Sequence, residues 1–357
     1  MEFPDNVSYD YYLEDFINSS TEESHAERSA AYDFKSAAQI LTVVIYSITC
    51  LLGLVGNGLV IAIITLKMKK SVNAIWFLNL AVADFLFNVF LPLTITYTAL
   101  GYHWVFGQAM CKVNSLLLTF NMYTSVFLLT IISFDRCISV VFPVWSQNHR
   151  TPKIACFLCV FIWAFGFLMS SPSLVFRDTH KTYDGPIICF NNYSLSRSHH
   201  THIGTVRHST VTIIRFLAGF IMPMTVITAC YVIIIFRLKR NRLTKSKKPL
   251  RIIVAIIMTF FFCWCPYHVI FLMETQHYYF PRPVFEIGIP IATAIAVSNS
   301  CMNPVLYVFM GQDFRKFKMT ILSRLVNALS EDTVHSTLPR RSFTKASSLT
   351  EKDSTLL

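Results

Sequence analysis

Seven long apolar runs constrain the fold of this chain more than any other feature of its sequence. Each reaches the roughly 20 residues that an α-helix needs to cross about 30 Å of hydrocarbon. A helix also satisfies its own backbone hydrogen bonds, as a segment in lipid must. The sequence therefore predicts an all-α membrane protein, a seven-transmembrane helix bundle. The runs cover residues 37–66, 72–100, 109–141, 154–175, 208–236, 252–273 and 285–310.

Charged residues are scarce, and their distribution predicts the orientation of the bundle. They make up 14% of the chain, against roughly 25% in soluble domains. Lysine and arginine concentrate on the cytoplasmic side of membrane proteins, and here they follow the first, fifth and seventh runs. We therefore predict a multi-pass plasma-membrane protein with its N-terminus outside and its C-terminus in the cytoplasm. This topology explains the net charge of +11 without a nucleic-acid partner.

The two ends of the chain are predicted to be separate from the bundle at 37–310. Residues 1–36 are polar and acidic, which is typical of an extracellular disordered tail. Its charge either attracts basic partners or only keeps the tail soluble. Residues 311–325 are predicted to form a short amphipathic helix on the membrane surface. Residues 326–357 form a cytoplasmic tail rich in serine and threonine.

Candidate modification sites fall on both sides of the predicted membrane. The sequons at Asn6, Asn18 and Asn192 all lie on the outer side, so we predict glycosylation there. Phosphorylation of the cytoplasmic tail would add negative charge that suits the basic surface of arrestin; an unmodified tail is the alternative. The candidate phosphorylation sites are Ser342, Thr344, Ser347, Ser348 and Thr350.

Cysteine usage predicts one disulfide bond. Eight of the ten cysteines lie inside the apolar runs, where a thiol packs as a small apolar group. Only Cys111 and Cys189 lie on the outer side, where an oxidising compartment favours their pairing. The bond would tie the second outer loop to the top of the third helix. Cys263 and Cys265 have no further ligands near them in sequence, so they do not indicate a metal site.

A carboxylate at membrane depth, Asp84, indicates a functional site, because an ionisable group there costs on the order of several kcal/mol. Two pairs of polar residues four apart share one helix face each. They are Asn121 with Ser125, and Asn299 with Asn303. If these oxygens converge on Asp84, they could hold a sodium ion. A hydrogen-bonded polar core without an ion explains the spacing equally well, and the sequence leaves both interpretations open.

Two further features indicate moving parts. Arg136 lies beside Asp135 near the inner end of the third run, where the carboxylate could hold it in one state and release it in another. An interfacial anchor is the alternative. Pro266 removes a helical hydrogen bond close to the bulky rings of Phe260 and Trp264, which describes a hinge. Passive packing is the alternative, since membrane helices tolerate proline.

Taken together, these residues resemble the motif series of rhodopsin-like (class A) G-protein-coupled receptors, from about residue 37 to 325. Each motif alone is weak evidence, whereas the whole series, in order along the helices, is specific. Cys137 departs from it, because the commonest third-helix motif has tyrosine there. The matching positions are Gly56-Asn57, Asp84, Cys111 with Cys189, Asp135-Arg136, Trp163, Pro223 with Tyr231, Cys263-Trp264-Cys265-Pro266 and Asn303-Pro304-Val305-Leu306-Tyr307.

Within this class the chain is similar to chemoattractant peptide receptors, and among them to the chemerin receptors. The stretches that carry this resemblance are HWVFG at 103–107, PVWSQNHR at 143–150, SSPSLVFRD at 170–178 and CFNNYSLS at 189–196. The resemblance implies an extracellular chemerin-like protein ligand and an inhibitory-type heterotrimeric G protein, with arrestin and receptor kinases as further partners. A receptor for complement-type or formyl peptides, or a non-signalling scavenger, is the alternative.

The resemblance also implies a ligand cavity in the outer half of the bundle. Arg177 and Arg215 would bind the C-terminal carboxylate of a peptide, since a guanidinium matches a carboxylate with two hydrogen bonds. Interfacial anchoring is the alternative for Arg177. Glu274 would contact the peptide backbone or a cation. The apolar walls would be Tyr97, Leu118, Phe190, Trp264 and Phe285.

Activation, by the same resemblance, would rotate the sixth helix about Pro266 and open an inner cavity for the G protein. Ligand binding would shift an existing two-state equilibrium. A sodium ion at Asp84 would favour the inactive state. The predicted switch residues are Asp135, Arg136, Tyr231, Phe260, Trp264, Pro266, Asn303, Pro304 and Tyr307.

Other classes of membrane protein fit the sequence less well. A transporter or channel should show internal repeats or charged residues along a path, and the sequence has neither. An intramembrane enzyme needs a nucleophile with its base, or a set of metal ligands. The histidines cluster instead in the second outer loop, where a solvated loop is favoured over zinc binding. We therefore expect no enzymatic activity and no cofactor other than a sodium ion.

Overall fold

The computed structural model describes residues 25–68, 70–182, 185–195, 202–240 and 248–310. For residues 25–33, 67, 248–257 and 305–310 it describes the backbone alone. The sequons at Asn6 and Asn18, the predicted amphipathic helix and the predicted phosphorylation sites lie outside these ranges. A separate compact unit begins at Val308, and its described part is the last turn of a helix that ends at Met310.

The described chain is almost entirely helical. One two-stranded hairpin interrupts it, and one five-residue π-helical turn, Leu217–Ile221, joins α7 to α8. The helices are α1 His25–Lys67, α2 Val72–Ala99, α3 Gly107–Val141, α4 Pro143–His149, α5 Pro152–Ser170, α6 Pro172–Phe176, α7 His202–Phe216, α8 Met222–Arg240, α9 Lys248–Glu274 and α10 Arg282–Met310. The strands are β1 Arg177–Lys181 and β2 Ile187–Asn191, and a 3-10 turn covers His277–Tyr279.

Among the described residues, six helical segments are long and apolar enough to cross a membrane. They are Phe34–Leu66, Val72–Ala99, Gly107–Val141, Pro152–Phe176, His202–Arg240 and Arg282–Pro304. The described side chains of α9 add a shorter apolar helix, Met258–Glu274. Large apolar side chains such as Leu51, Val55 and Phe157 are exposed on the outside of the bundle, where lipid would cover them. The seven-helix prediction is confirmed.

The first helix begins earlier than the sequence pattern predicts. Helical backbone starts at His25, so residues 25–36, which we assigned to the acidic tail, continue α1 outward. This stretch, HAERSAAYDFKS, is rich in alanine, the strongest helix former. Extending an existing helix needs no new nucleation step, and therefore polar residues beyond the membrane can remain helical.

Helix starts and breaks follow local chemistry. Ser71 caps α2 by accepting a hydrogen bond from the backbone N–H of Ala74. Thr151 caps α5 in the same way, and Pro152 occupies the first turn, where no internal N–H partner is lost. The fourth apolar run, predicted as one helix over 154–175, is divided at Pro172. This proline opens the short α6, because the fourth span breaks after Ser171.

Small residues let the helices approach closely beside the buried polar residues. A Cβ atom built at Gly53 would lie 2.4 Å from the side chain of Asn88, and one at Gly56 would lie 2.9 Å from Pro304. Helix pairs in membranes use glycine in this way, since lipid supplies no hydrophobic force between helices. These contacts bring α1 against α2 and α10 beside the polar core.

The hairpin of the second outer loop lies against the outer end of α3. Its strands pair antiparallel, with Arg177 opposite Asn191 and Thr179 opposite Cys189. Cys189 forms a disulfide with Cys111 near the start of α3, which confirms the predicted bond. Trp104 and both cysteines form a buried cluster under the hairpin. The loop that roofs the outer end of the bundle is therefore covalently fixed.

Candidate functional site

Arg215 lies at the outer end of the bundle in the last turn of α7. Its Nη1 donates a hydrogen bond to the Tyr267 hydroxyl at 3.2 Å. The Tyr123 side chain lies within hydrogen-bond range of the same guanidinium. Both partners are neutral phenols, so they satisfy donors without cancelling the charge. A half-buried cation with this surrounding is suited to bind an anionic group.

Arg177, the first residue of β1, is held from the hairpin side. Its Nη1 donates to Oδ1 of Asn191 at 3.0 Å. Its Nε is buried and has no hydrogen-bond partner among the described residues. A buried unsatisfied donor costs about 1–3 kcal/mol. The guanidinium therefore keeps an unsatisfied Nε donor in this arrangement, and its neutral partner Asn191 does not cancel its charge.

Glu274 ends α9 beside His208 of α7, with 3.9 Å between Oε2 and Nε2. Tyr193, just after β2, stacks on His208 with ring centroids 4.8 Å apart and planes 17° apart. Burial raises the pKa of the Tyr193 hydroxyl, while the charges of Arg215 and Arg177 oppose that shift and the charge of Glu274 adds to it. Tyr193 therefore lies close enough to interact electrostatically with all three predicted charged residues, Arg177, Arg215 and Glu274.

Tyr193 is a residue that the sequence reasoning missed as a site residue. The available signal was its position four residues after Cys189, whose disulfide holds this part of the loop over the bundle. Its backbone carbonyl also accepts a hydrogen bond from Arg207 at 3.2 Å. The neighbouring sequon residue Asn192 donates from Nδ2 to Asp178 at 3.4 Å. The structure does not test glycosylation of Asn192.

The four aromatic and aliphatic residues predicted as further walls do not share one surface. Tyr97 packs edge-on against Trp104 below the hairpin, with centroids 5.5 Å apart. Phe190 on β2 meets the His180 ring edge-on at 6.4 Å. Leu118 packs against a core cluster between α1, α2 and α10. Phe285 is buried in a cluster between α9 and α10, with Ile270 and Ala292.

Asp84 is the centre of a buried polar core, and it is 1% exposed. Its Oδ1 accepts a hydrogen bond from Ser125 at 3.2 Å, and its Oδ2 accepts one from Nδ2 of Asn303 at 2.8 Å. In the amide orientation that satisfies its neighbours, Asn121 also donates to Oδ1 of Asp84 at 3.1 Å. Three of the four predicted partners therefore converge on this carboxylate.

Asn299, the fourth partner, is buried in the same region, and no hydrogen bond joins it to Asp84 among the described residues. The Asp84 carboxylate and the Ser125 hydroxyl are hard oxygen donors of the kind that a small cation prefers. Asn121 and Asn303 present amide N–H groups to the carboxylate here, and they would turn over to offer their oxygens to an ion. The hydrogen bonds described above also satisfy the carboxylate without an ion. The residues present thus fit a sodium site and a closed polar core alike.

The predicted hinge lies among stacked rings in α9. Phe260 and Trp264 are buried, with centroids 6.3 Å apart. His268, one turn further out, packs with its ring tilted against Phe220 of the π-helical turn, with centroids 5.1 Å apart. Trp264 Nε1 and His268 Nε2 are both buried without a partner among the described residues. Sequence spacing did not indicate His268, because a single histidine in an apolar run carries no pattern.

The inner end of the bundle contains the remaining predicted switch residues. Tyr231 of α8 accepts a hydrogen bond from Ser133 of α3 at 3.1 Å. Asn303 reaches Asp84, and Pro304 packs against Gly56. The side chain of Tyr307 lies outside the described part of the structure. Asp135 binds Arg150 through two hydrogen bonds, a partner that the sequence did not indicate.

Comparison with known proteins decides the family. Residues 56–307 match the 7 transmembrane receptor (rhodopsin family). The chain belongs to this family. The relative named Chemerin-like receptor 1 of Rattus norvegicus is 58% identical over 99% of this chain and 98% of its own length. The Homo sapiens protein of that name is 62% identical over 84% of this chain and 83% of its own. Chemerin-like receptor 2 of Mus musculus is 37% identical over 97% of this chain and 96% of its own.

Membership of the rhodopsin family gives the observed contacts a functional context. Receptors of this family are multi-pass membrane proteins that signal through G proteins. The match includes Asp84, the Cys111–Cys189 disulfide, the α9 hinge and the inner end of α10, so the described polar core and hinge belong to a receptor bundle. The family is a class of receptors, not of enzymes.

Proposed function

We propose that the chain is a plasma-membrane receptor for chemerin, a protein chemoattractant, with its N-terminus outside the cell and its C-terminus inside. Identity of 58–62% to proteins named Chemerin-like receptor 1 supports this ligand. An inhibitory-type heterotrimeric G protein couples inside. The single observation that carries the proposal beyond the family is the pair of half-buried guanidiniums with neutral partners, Arg177 on the fixed hairpin and Arg215 near the end of α7.

In this proposal the ligand inserts its C-terminus into the outer cavity. Arg177 and Arg215 bind the terminal carboxylate, because the neutral partners of each guanidinium do not cancel its positive charge. Glu274 contacts the peptide backbone near the rim. Tyr97, Leu118, Phe190 and Phe285 form or support the apolar walls. Tyr193, which lies between the charged residues and His208, orders the rim.

Ligand contact is transmitted through the hinge and the polar core. Pressure on Trp264 favours rotation of the inner half of α9 about Pro266, which rearranges Phe260, Tyr231 and Tyr307. Asn303 and Pro304 move with α10, and Arg136 engages the G protein. A sodium ion bound by Asp84, Asn121, Ser125, Asn299 and Asn303 would stabilise the inactive arrangement by adding contacts in that state only.

Segments outside the described residues, together with the sequon at Asn192 in the described hairpin loop, complete the proposal. The acidic tail attracts the ligand, with glycans at Asn6 and Asn18 and a third at Asn192 in the outer loop. The helix at 311–325 lies on the inner membrane surface. Receptor kinases phosphorylate the tail, and arrestin then binds it. The sequence alone supports these assignments.

A G-protein dissociation assay in cells tests the proposal. Cells expressing the receptor are exposed to chemerin, a complement-type peptide and a formylated peptide, and a matched chemerin C-terminal peptide is supplied as free acid and as amide. We expect activation by chemerin and the free acid, with potency reduced at least about tenfold in the amide, since one charge-assisted contact is worth about 1.5–3 kcal/mol. Stronger activation by the complement-type or formylated peptide would show that chemerin is not the ligand. Chemerin binding without G-protein dissociation would indicate a scavenger.

A further inference from the structure

The inner end of α3 presents a carboxylate with an unexpected partner. Arg150, which follows α4, donates from Nε to Oδ1 of Asp135 at 2.7 Å and from Nη2 to Oδ2 at 2.8 Å. The same Nη2 also donates to Oδ1 of Asn73 in the first turn of α2. The Asp135 side chain is 11% exposed and that of Arg150 is 26% exposed. This contact therefore joins three elements and is partly shielded from water.

Arg136, next to Asp135, is half-buried, and no hydrogen bond joins the two residues in the part of the chain that the structure describes. Consecutive residues of a helix do not face each other, so Asp135 acts on Arg136 through its nearby charge and not through a two-pronged contact. Arg150 approaches from outside the helix and can use both carboxylate oxygens, the strongest arrangement for this pair. Two arginines thus compete for one anion, and Arg150 holds it here.

We propose that Arg150 is a positioning residue for G-protein activation, because it occupies Asp135 and thereby leaves Arg136 available to the G protein. The inference rests on the proposed signalling function and names a residue that acts before the G protein binds. Asn73 orients Arg150 by accepting from the Nη2 that binds Asp135. Without Arg150, Asp135 is the nearest anion to Arg136 and holds it in the inactive arrangement.

A double-mutant cycle on purified receptor in nanodiscs tests this proposal. Basal and chemerin-stimulated GTPγS binding to a purified inhibitory-type G protein is measured for each variant. Arg150→Ala should lower basal exchange about fivefold, and Asp135→Asn should raise it about fivefold. Interaction energies between residues in contact are commonly large enough for changes of this size. Arg150→Ala should have no further effect in the Asp135→Asn background. The opposite signs distinguish competition from simple loss of a stabilising contact.

Matched variants separate positioning from folding. Arg150→Lys keeps the charge but loses the two-pronged contact, so its exchange rate should fall between wild type and Arg150→Ala. Asn73→Ala should give a smaller decrease of the same sign. Lys153→Ala removes an exposed cation from the same inner face and should not change exchange. Melting temperatures of all variants show whether each one folds.

The outcomes separate this inference from the proposed function. If the wild-type receptor fails to accelerate exchange with chemerin, the proposed function is wrong, but the basal rates still test Arg150. If wild type responds and Arg150→Ala matches it, or if Arg150→Ala and Asp135→Asn both lower exchange additively, Arg150 only stabilises the loop. Either of these results would overturn the inference.

Discussion

At the scale of single residues, the outer site depends on where guanidinium charge is left uncompensated. Arg215 is paired with phenols, and Arg177 retains a buried Nε without a partner among the described residues. The sequence identified both arginines through the family resemblance. It did not identify Tyr193 or Tyr267, because their contacts with the cavity depend on loop placement and helix rotation, which residue spacing does not encode.

Replacing Arg215 tests the carboxylate assignment. Arg215→Ala should reduce chemerin potency about 10- to 100-fold, because it removes a charge-assisted contact worth about 1.5–3 kcal/mol. Arg215→Lys should retain part of the potency, since it keeps the charge without the planar fork. The measurement is G-protein dissociation against ligand concentration at matched surface expression. The amidated peptide is the control: it should lose little further potency on Arg215→Ala, and equal losses for both peptides would show that Arg215 does not bind the carboxylate.

Sodium dependence tests the role of Asp84. If the buried core binds sodium in the inactive state, replacing sodium with a large organic cation should raise agonist affinity in wild type. Asp84→Asn should abolish that response, because the amide carries no charge to hold the cation. Radioligand competition at constant ionic strength measures both. Insensitivity of the wild-type receptor to sodium would favour the closed hydrogen-bonded core instead.

At the scale of elements, helix number, order and approximate spans followed from the apolar runs, because hydrocarbon thickness fixes helix length. The start of α1 at His25, the π-helical turn before α8 and the break at Pro172 did not. The start of α1 lies outside the apolar run, so the run cannot mark it. The π-helical turn and the break at Pro172 are local changes of backbone conformation inside runs whose apolar pattern continues unchanged. The Arg150–Asp135–Asn73 contact was missed for another reason, since its members lie 15 and 77 residues from Arg150 in the chain.

Close packing of α1 on α2 predicts different tolerances at two glycines. Gly53→Ala places a methyl 2.4 Å from Asn88 and should lower the melting temperature by several degrees, since overpacking costs about 1–3 kcal/mol. Gly58→Ala places its methyl 3.5 Å from Phe85, an ordinary contact, and should be neutral or slightly stabilising. Thermal unfolding of detergent-solubilised receptor measures both. Equal melting temperatures for the two variants would contradict the packing argument.

The outer hairpin should lose stability in acid through Asp178. Partial burial raises the pKa of this carboxyl, but hydrogen bonds from the Thr179 N–H, Gln108 and Asn192 outweigh it and lower the pKa below the ordinary 3.8. A carboxyl whose pKa is lower in the folded state than in the unfolded state stabilises the fold at pH values above its unfolded-state pKa. This stabilisation is lost as the pH falls through the folded-state pKa. Hydrogen-exchange protection factors of the hairpin amides, which correct for the intrinsic pH dependence of exchange, should therefore fall below about pH 4. Asp178→Asn should remove most of that dependence; an unchanged pH profile would contradict it.

At the scale of the whole molecule, a polar core and a proline hinge lie between the proposed ligand site at the outer end of the bundle and the proposed G-protein site at its inner end. The charged and polar groups buried along this path are costly in lipid. We propose that they are retained because their contacts change when the helices rearrange. The family match and the described contacts fix the bundle; the ligand, the ion and the direction of helix movement are what the proposals add.

The most direct test of this account removes the Arg136 side chain. Purified receptor in nanodiscs is combined with an inhibitory-type G protein, and GTPγS binding is measured with and without chemerin for wild type and Arg136→Ala. The account predicts that chemerin still binds Arg136→Ala but no longer accelerates exchange. Chemerin-driven exchange at the wild-type rate in Arg136→Ala would contradict it.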